Sequence, residues 1–281
     1  MDLQTTLHGY IEVPVSDKLQ ALLSEHYDHP AAVPVEPKYA ATVMLIRDNP
    51  IEVFMLRRAS TMSFVPNAMV FPGGRVDPTD SDSDMPWAGP SASDWAQEMN
   101  CDESVAYPIV VAAAREVFEE TGVLLAGPDG TGFADLALDR SWADARNQLV
   151  KHEISFASVL RSRNLVLRTD YLGLRARWLT PEYEPRRYDT FFFTALLPEG
   201  QTPDASTQEA AEGLWTQAGQ MIEASQAGEV LLLPPTASNL AFLANANSAE
   251  AFLREHPPIN QIMPIPRKSD DGRIIMTYVL P

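Results

Sequence analysis

Three glutamates within five residues offer the first chemistry in this sequence. Glu116, Glu119 and Glu120 lie inside R-E-V-F-E-E-T-G-V at 115–123. Spacings of i, i+3 and i+4 put all three on one face of a helix. At about 100° per residue, the other side carries Val110, Val111, Ala114, Val117, Phe118 and Thr121, an apolar face that can pack against a sheet. Carboxylates this close repel one another. Either a proton is retained at a raised pKa or a cation sits among them, and clustered hard oxygens suit Mg²⁺ or Mn²⁺ rather than zinc. A solvated acidic helix face would have the same spacing.

Other elements must hold such a helix in place. The runs 40–47 (A-A-T-V-M-L-I-R) and 51–57 (I-E-V-F-M-L-R) read as strands, and the Asp48-Asn49-Pro50 turn between them predicts a hairpin. A short third strand at 69–71 runs into Phe71-Pro72-Gly73-Gly74. Glycine lets the backbone approach a ligand closely, so the Gly74 carbonyl is a candidate metal ligand. Pro108 falls in the first turn of the helix, and Gly122 closes it. Further on, 141–160 reads as a helix, 172–179 and 190–197 as strands, and 217–227 as a helix ended by Gly228. The run 231–235 reads as extended, 238–255 as a terminal helix capped by Ser238, and 274–280 as a last strand. Residues 1–38 form an N-terminal arm with a short amphipathic helix at 16–26, broken by Pro30, Pro34 and Pro37.

The chain has 281 residues, 45% of them hydrophobic, enough for a sizeable core. Its net charge of −17 disfavours nucleic acid or an anionic membrane as partner. One cysteine, Cys101, excludes an intrachain disulfide. No run reaches the length of a membrane span, and the N-terminus lacks a basic and an apolar leader segment, so a soluble cytoplasmic protein is expected. Arg161, Arg163, Arg168, Arg175, Arg177, Arg186 and Arg187 crowd one stretch. They are read as salt-bridge partners of acidic neighbours or as a phosphate-binding wall.

The Gly-Gly loop and the glutamate helix together resemble the Nudix box, G-x5-E-x7-R-E-u-x-E-E-x-G-u, where u is aliphatic. The resemblance covers 39–227 and is strongest at 55–77 and 112–125. Within the family, M-L-R-R-A-S-T-M-S-F-V-P-N-A-M-V-F-P-G-G-R-V-D and R-W-L-T-P are similar to an acyl-coenzyme A diphosphatase-like subgroup. In this chain about 27 residues, at about 78–104, are inserted inside the box. The insert is acidic and rich in Pro, Ser and Gly, and reads as a loop pinned by Trp87 and Trp95. The early glutamate of the box is absent: counting from the glycines lands on Asp80, and counting from the helix lands on Tyr107.

The resemblance implies an α/β fold, an α/β/α sandwich around a mixed sheet. The whole chain, 1–281, would be one domain, with a core at 39–227 and a C-terminal extension at 228–281. It implies a metal-dependent hydrolase, using Mg²⁺ or Mn²⁺, that cleaves a diphosphate linkage in a small nucleoside diphosphate derivative. Coenzyme A or acyl-CoA comes first; ADP-ribose, a dinucleotide or a nucleotide sugar is the alternative, and a non-catalytic ligand sensor is the other. Glu116 and Glu120 would bind metal with the Gly74 carbonyl. Glu119 would be a further ligand or the water-activating base, and Arg115 would orient the carboxylates. Arg57, Arg58 and Arg75 are phosphate candidates, and Glu209 or Glu212 a late acid at the substrate, metal or water. The family also implies a homodimer, with 238–255 or the N-terminal arm as contacts.

Overall fold

A computed structural model describes residues 9–14, 23, 33–59, 67–129, 131–136, 141–205 and 210–280. The first elements among the described residues are β1 (Gly9–Pro14), β2 (Lys38–Arg47), β3 (Glu52–Arg58), β4 (Met69–Val70) and β5 (Gly73–Arg75). A 3-10 turn at Pro78–Ser81, then β6 (Trp87–Ala88), α1 (Ala92–Met99) and α2 (Glu103–Thr121) follow. The middle holds β7 (Ala126–Gly127), α3 (Ser141–Val150), α4 (Phe156–Ser162), β8 (Val166–Arg168), β9 (Leu172–Leu179), β10 (Tyr188–Leu196) and β11 (Ala210–Thr216). The last elements are α5 (Ala218–Gln226), α6 (Pro234–Leu243), α7 (Ala249–Arg254), β12 (Gln261–Ile262), β13 (Ile265–Lys268) and β14 (Ile274–Leu280).

The main sheet is mixed, in the order β11-β3-β2-β10-β9-β12, with β4 on β3 and β5 on β2. Parallel pairing of β2 with β10 and antiparallel pairing of β2 with β3 set its middle. Strand alternation sorts the side chains into two cores. Val43, Leu45, Phe54, Leu56, Phe191 and Phe193 face α1 and α2. Met44, Ile46, Val53, Met55, Trp178 and Phe192 face the other way, against Met221, Leu240 and Phe252 of α5, α6 and α7. Burial of each such side chain contributes roughly 1.5–3 kcal/mol, so neither face of the sheet can be left bare. The result is an α/β/α sandwich. A separate antiparallel sheet, β1-β14-β13, joins the two ends of the described chain.

Helix α2 lies deeper than its sequence pattern predicts. Val110 and Val117 do pack on the sheet. Val111, Ala114 and Phe118 instead face a further layer made by Ala145 and Leu149 of α3 and Phe156 and Leu160 of α4. The helix also starts earlier than expected, so Pro108 sits inside it. The proline has no N–H for the Ser104 carbonyl; Ser104 is exposed, where water can serve that carbonyl.

Other expectations need correction. The insert is folded, not a loop: its acidic residues cap helices. Thr79 N donates to Asp77 (2.8 Å), Asp77 N to Asp80 (2.7 Å) and Ser91 N to Asp94 (2.8 Å). Trp95 is 1% exposed, edge-on to Phe193, and Trp87 stacks on Tyr107. The predicted helix 141–160 is two helices. His152 takes a left-handed φ of 55°, and Ser155 caps α4. The predicted helix 238–255 is also two: α6 begins at Pro234, with Ser238 buried inside it, and Ser248 caps α7. Only Leu231 of the expected extended run 231–235 forms a bridge, to Ala68. The expected helix at 16–26 lies outside the described residues except at Leu23.

Candidate active site

The Gly-Gly loop reaches the glutamate helix because β5 pairs with β2, with Ala41 opposite Gly74 and Thr42 opposite Gly73. Gly73 N donates to Glu120 Oε2 at 2.9 Å. A Cβ on Gly74 would stand 2.4 Å from Glu116 Oε1. Any larger residue there would push the Glu116 carboxylate aside, and the two halves of the motif meet despite the insertion.

Arg115 is the hub of the site. Its Nη1 donates to Glu116 Oε1 (2.8 Å) and Glu119 Oε1 (3.1 Å). Nε and Nη2 grip the Asp80 carboxylate at 2.8 and 3.0 Å, and Nη2 also donates to the Arg75 carbonyl at 2.9 Å. Asp80 is therefore where the early acid of the motif falls, at the start of the inserted segment. The alternative position, Tyr107, points elsewhere and donates to the Asp82 carbonyl at 2.7 Å.

These carboxylates are not a solvated face. Glu116 is 8% and Glu119 9% exposed, and Asp80 is buried; Glu120 is half-buried. Burial pushes Glu116 up to about 7, with Glu119 and Asp80 adding repulsion and Arg115 opposing it. Burial likewise raises Glu119 and Asp80, against the pull of Arg115. For Arg115 burial works against its charge, but Asp80, Glu116 and Glu119 outweigh that and raise its pKa. Three carboxylates, of Asp80, Glu116 and Glu119, thus gather round one guanidinium, a group deficient in positive charge. Among the described residues, no three His, Cys, Asp or Glu side chains enclose a common point as they stand. Even so, Arg115 engages only Oε1 of Glu116 and of Glu119, so the second oxygen of each remains for a cation. An all-oxygen donor set fits Mg²⁺ or Mn²⁺.

The other candidates are placed less closely. Arg75 is exposed and directly follows Gly74 on β5. Arg57 and Arg58 end β3, and Arg57 pairs loosely with Glu212 at 3.5 Å. Glu209 lies outside the described residues. The arginine-rich stretch is engaged mainly in ion pairs: Arg161 with Asp82 (3.1 Å), Arg168 with Asp170 (2.7 Å), Arg175 with Glu255 (3.0 Å) and Arg177 with Asp189 (2.7 Å). Arg187 donates to the Thr180 and Val35 carbonyls at 3.0 Å each. That favours salt bridging over a phosphate wall. Trp178, an aromatic that could clamp a base, is core, packed edge-on to Tyr278.

The sequence offers no motif for Arg146, which donates from α3 to the backbone carbonyl of Glu119 at 2.8 Å.

The family model described as the NUDT19 Nudix domain matches residues 90–243. Acyl-coenzyme A diphosphatase NUDT19 of Gallus gallus is 29% identical over 237 residues, covering 70% of this chain and 62% of that protein. Its Homo sapiens counterpart is 29% identical over 246 residues, covering 71% and 63%. The chain thus spans about three fifths of the length of these relatives. The crystal structure of a NUDIX hydrolase from Alicyclobacillus acidocaldarius superposes with a TM-score of 0.67 at 28% identity, covering 81% of this chain and 99% of that one.

Proposed function

The chain belongs to the Nudix hydrolases of the NUDT19 type, and on that premise we propose that it hydrolyses the diphosphate linkage of a nucleoside diphosphate derivative, with coenzyme A or acyl-CoA as the first substrate class. The observation that carries the proposal is the buried carboxylate cluster around Arg115, closed on one side by the Gly73-Gly74 backbone. The similarity to two acyl-coenzyme A diphosphatases supports the choice of substrate.

In this reading Glu116, Glu120 and Glu119 would hold Mg²⁺ or Mn²⁺ together with the Gly74 carbonyl. When bound, the ion neutralises diphosphate charge and activates a water. Glu119 accepts the water's proton as its oxygen attacks phosphorus. The bridging P–O bond breaks, and each product keeps one of the two phosphates of the diphosphate. Arg115 holds Glu116 and Glu119 in their orientations through Nη1. Arg57, Arg58 and Arg75 contact phosphate oxygens, and Glu209 is the late acid on the substrate side. The reading also includes a cytoplasmic location and a homodimer. Among the described residues no helix is long and apolar enough to cross a membrane.

The test is a Mg²⁺/Mn²⁺ screen against CoA, acyl-CoAs, ADP-ribose, NADH and nucleotide sugars, with products identified by mass. Cleavage of CoA or an acyl-CoA is expected, with loss of at least about 100-fold in kcat for E119Q and E120Q while both variants stay folded. AMP from ADP-ribose with no CoA cleavage would remove the substrate assignment. Turnover by both variants at the wild-type rate would remove the mechanism.

A further inference from the structure

The last turn of α2 is closed by side chains from two distant segments. A helix leaves its final four carbonyls without intrahelical donors. Here Phe118 O accepts from Gly122 N at 2.9 Å. Val123 N, the usual donor for Glu119 O, turns instead to Thr121 Oγ1 at 3.2 Å. Arg146 fills that place, its Nε donating to Glu119 O at 2.8 Å. The same guanidinium grips Asp204 through its carboxylate (3.1 Å) and its carbonyl (3.2 Å). Asp204 N in turn donates to Thr121 O at 2.8 Å. The bonds form a closed ring: helix end, Arg146, Asp204, helix end.

Gln201 extends the clamp by one residue. Its side-chain amide exchanges two bonds with the Leu124 backbone, at 2.8 and 3.1 Å. Arg146 also lines a cavity of about 300 Å³ with Phe118, Leu136, Trp142 and Gln201. Glu119 is thus held at both ends, its carboxylate by Arg115 and its carbonyl by Arg146. A cation at a helix C-terminus also opposes the helix dipole.

We propose that Arg146 is a positioning residue for Glu119, fixing the catalytic helix end through Asp204; its kinetic consequence rests on the hydrolase reading above. Removing the guanidinium frees the Glu119 carbonyl and lets the last turn fray. A misplacement of about 1 Å at a reacting group costs on the order of 100-fold in rate. Substrate contacts made elsewhere should be little changed.

The experiment compares wild type, R146A, R146K and D204A in two arms. In metal-free protein, hydrogen exchange over 118–125 should accelerate by about 10-fold in R146A and D204A, with α5 and the main sheet unaffected and R146K intermediate. In the loaded enzyme, kcat of R146A should fall by about 10- to 100-fold with KM nearly constant. Millimolar guanidinium, admitted by the neighbouring cavity, should restore part of kcat to R146A and none to D204A. Unchanged exchange in R146A and D204A overturns the clamp. Faster exchange with unchanged kcat overturns the positioning role. If R146A does not fold, R146K and D204A make the same comparison. Wild type inactive on every diphosphate defeats the hydrolase reading, while the exchange arm still decides the clamp.

Discussion

Glu116 has its carboxyl buried beside two other acids, and that has a measurable pH signature. Its proton leaves near 4.5 in the unfolded chain but at about 7 in the fold, because burial disfavours the charge. Between those values the unfolded state binds fewer protons, so stability falls as pH rises. Glu119 and Asp80 shift the same way. Half-buried Asp82 and exposed Asp94 are shifted down by hydrogen bonds from Arg161 and Ser91, so their contribution is lost only at lower pH. The melting temperature of metal-free protein should therefore fall from about pH 4.5 to about pH 7, with a shallower slope in E116Q. Equal slopes in the two proteins would show that Glu116 is not the group responsible. At this scale much of the site was legible in the sequence, because Glu116, Glu119, Glu120 and Gly74 lie in short motifs with fixed spacing. Asp80 emerged only by counting from the glycines. Arg146 could not emerge, since it meets Glu119 across 27 positions of chain through a backbone carbonyl that no side-chain pattern records.

Among the elements, α2 and the inserted segment depend on each other. The hairpin β2–β3 and the apolar stripe of α2 were readable from alternation and periodicity. The insertion was not, because helix caps and loops draw on the same residues: Asp77, Asp80, Ser91 and Asp94 read as loop chemistry but cap the 3-10 turn and α1. The long helices at 141–160 and 238–255 failed for the related reason that Ser155 and Ser248 interrupt runs whose periodicity continues beyond them. If the insertion is structural, its anchor should be costly to remove. Trp95→Ala should destabilise by about 3–5 kcal/mol, read from the urea midpoint, whereas a pinned loop would lose less than about 1 kcal/mol.

For the molecule as a whole, the residues after 228 are part of the packing rather than an appendage. Leu240, Leu243 and Phe252 cover the sheet face that carries Met44, Ile46, Met55 and Trp178, and β12 adds to the sheet beside β9. Deletion of 228–281 should therefore leave no soluble folded protein. A cooperative melt of the truncated chain would show that the core at 39–227 stands alone. The net charge of −17 also sets a background field that draws divalent cations and weakens with salt.

The place of Asp80 bears on the order of events during folding. Asp80 and its arginine are 35 positions apart, and Gly73 and Glu120 are 47 apart. Closing loops of that length costs chain entropy before any contact returns it. The carboxylate cluster is thus assembled by long-range closure and cannot form while the intervening segment is molten. A proteolytic nick between Asp82 and Ser91 would untie Asp80 from α1 without touching a glutamate, and the guanidinium would lose the clasp that keeps it aimed at the other acids. The carboxylate cluster then serves as a reporter of whether the inserted segment has folded.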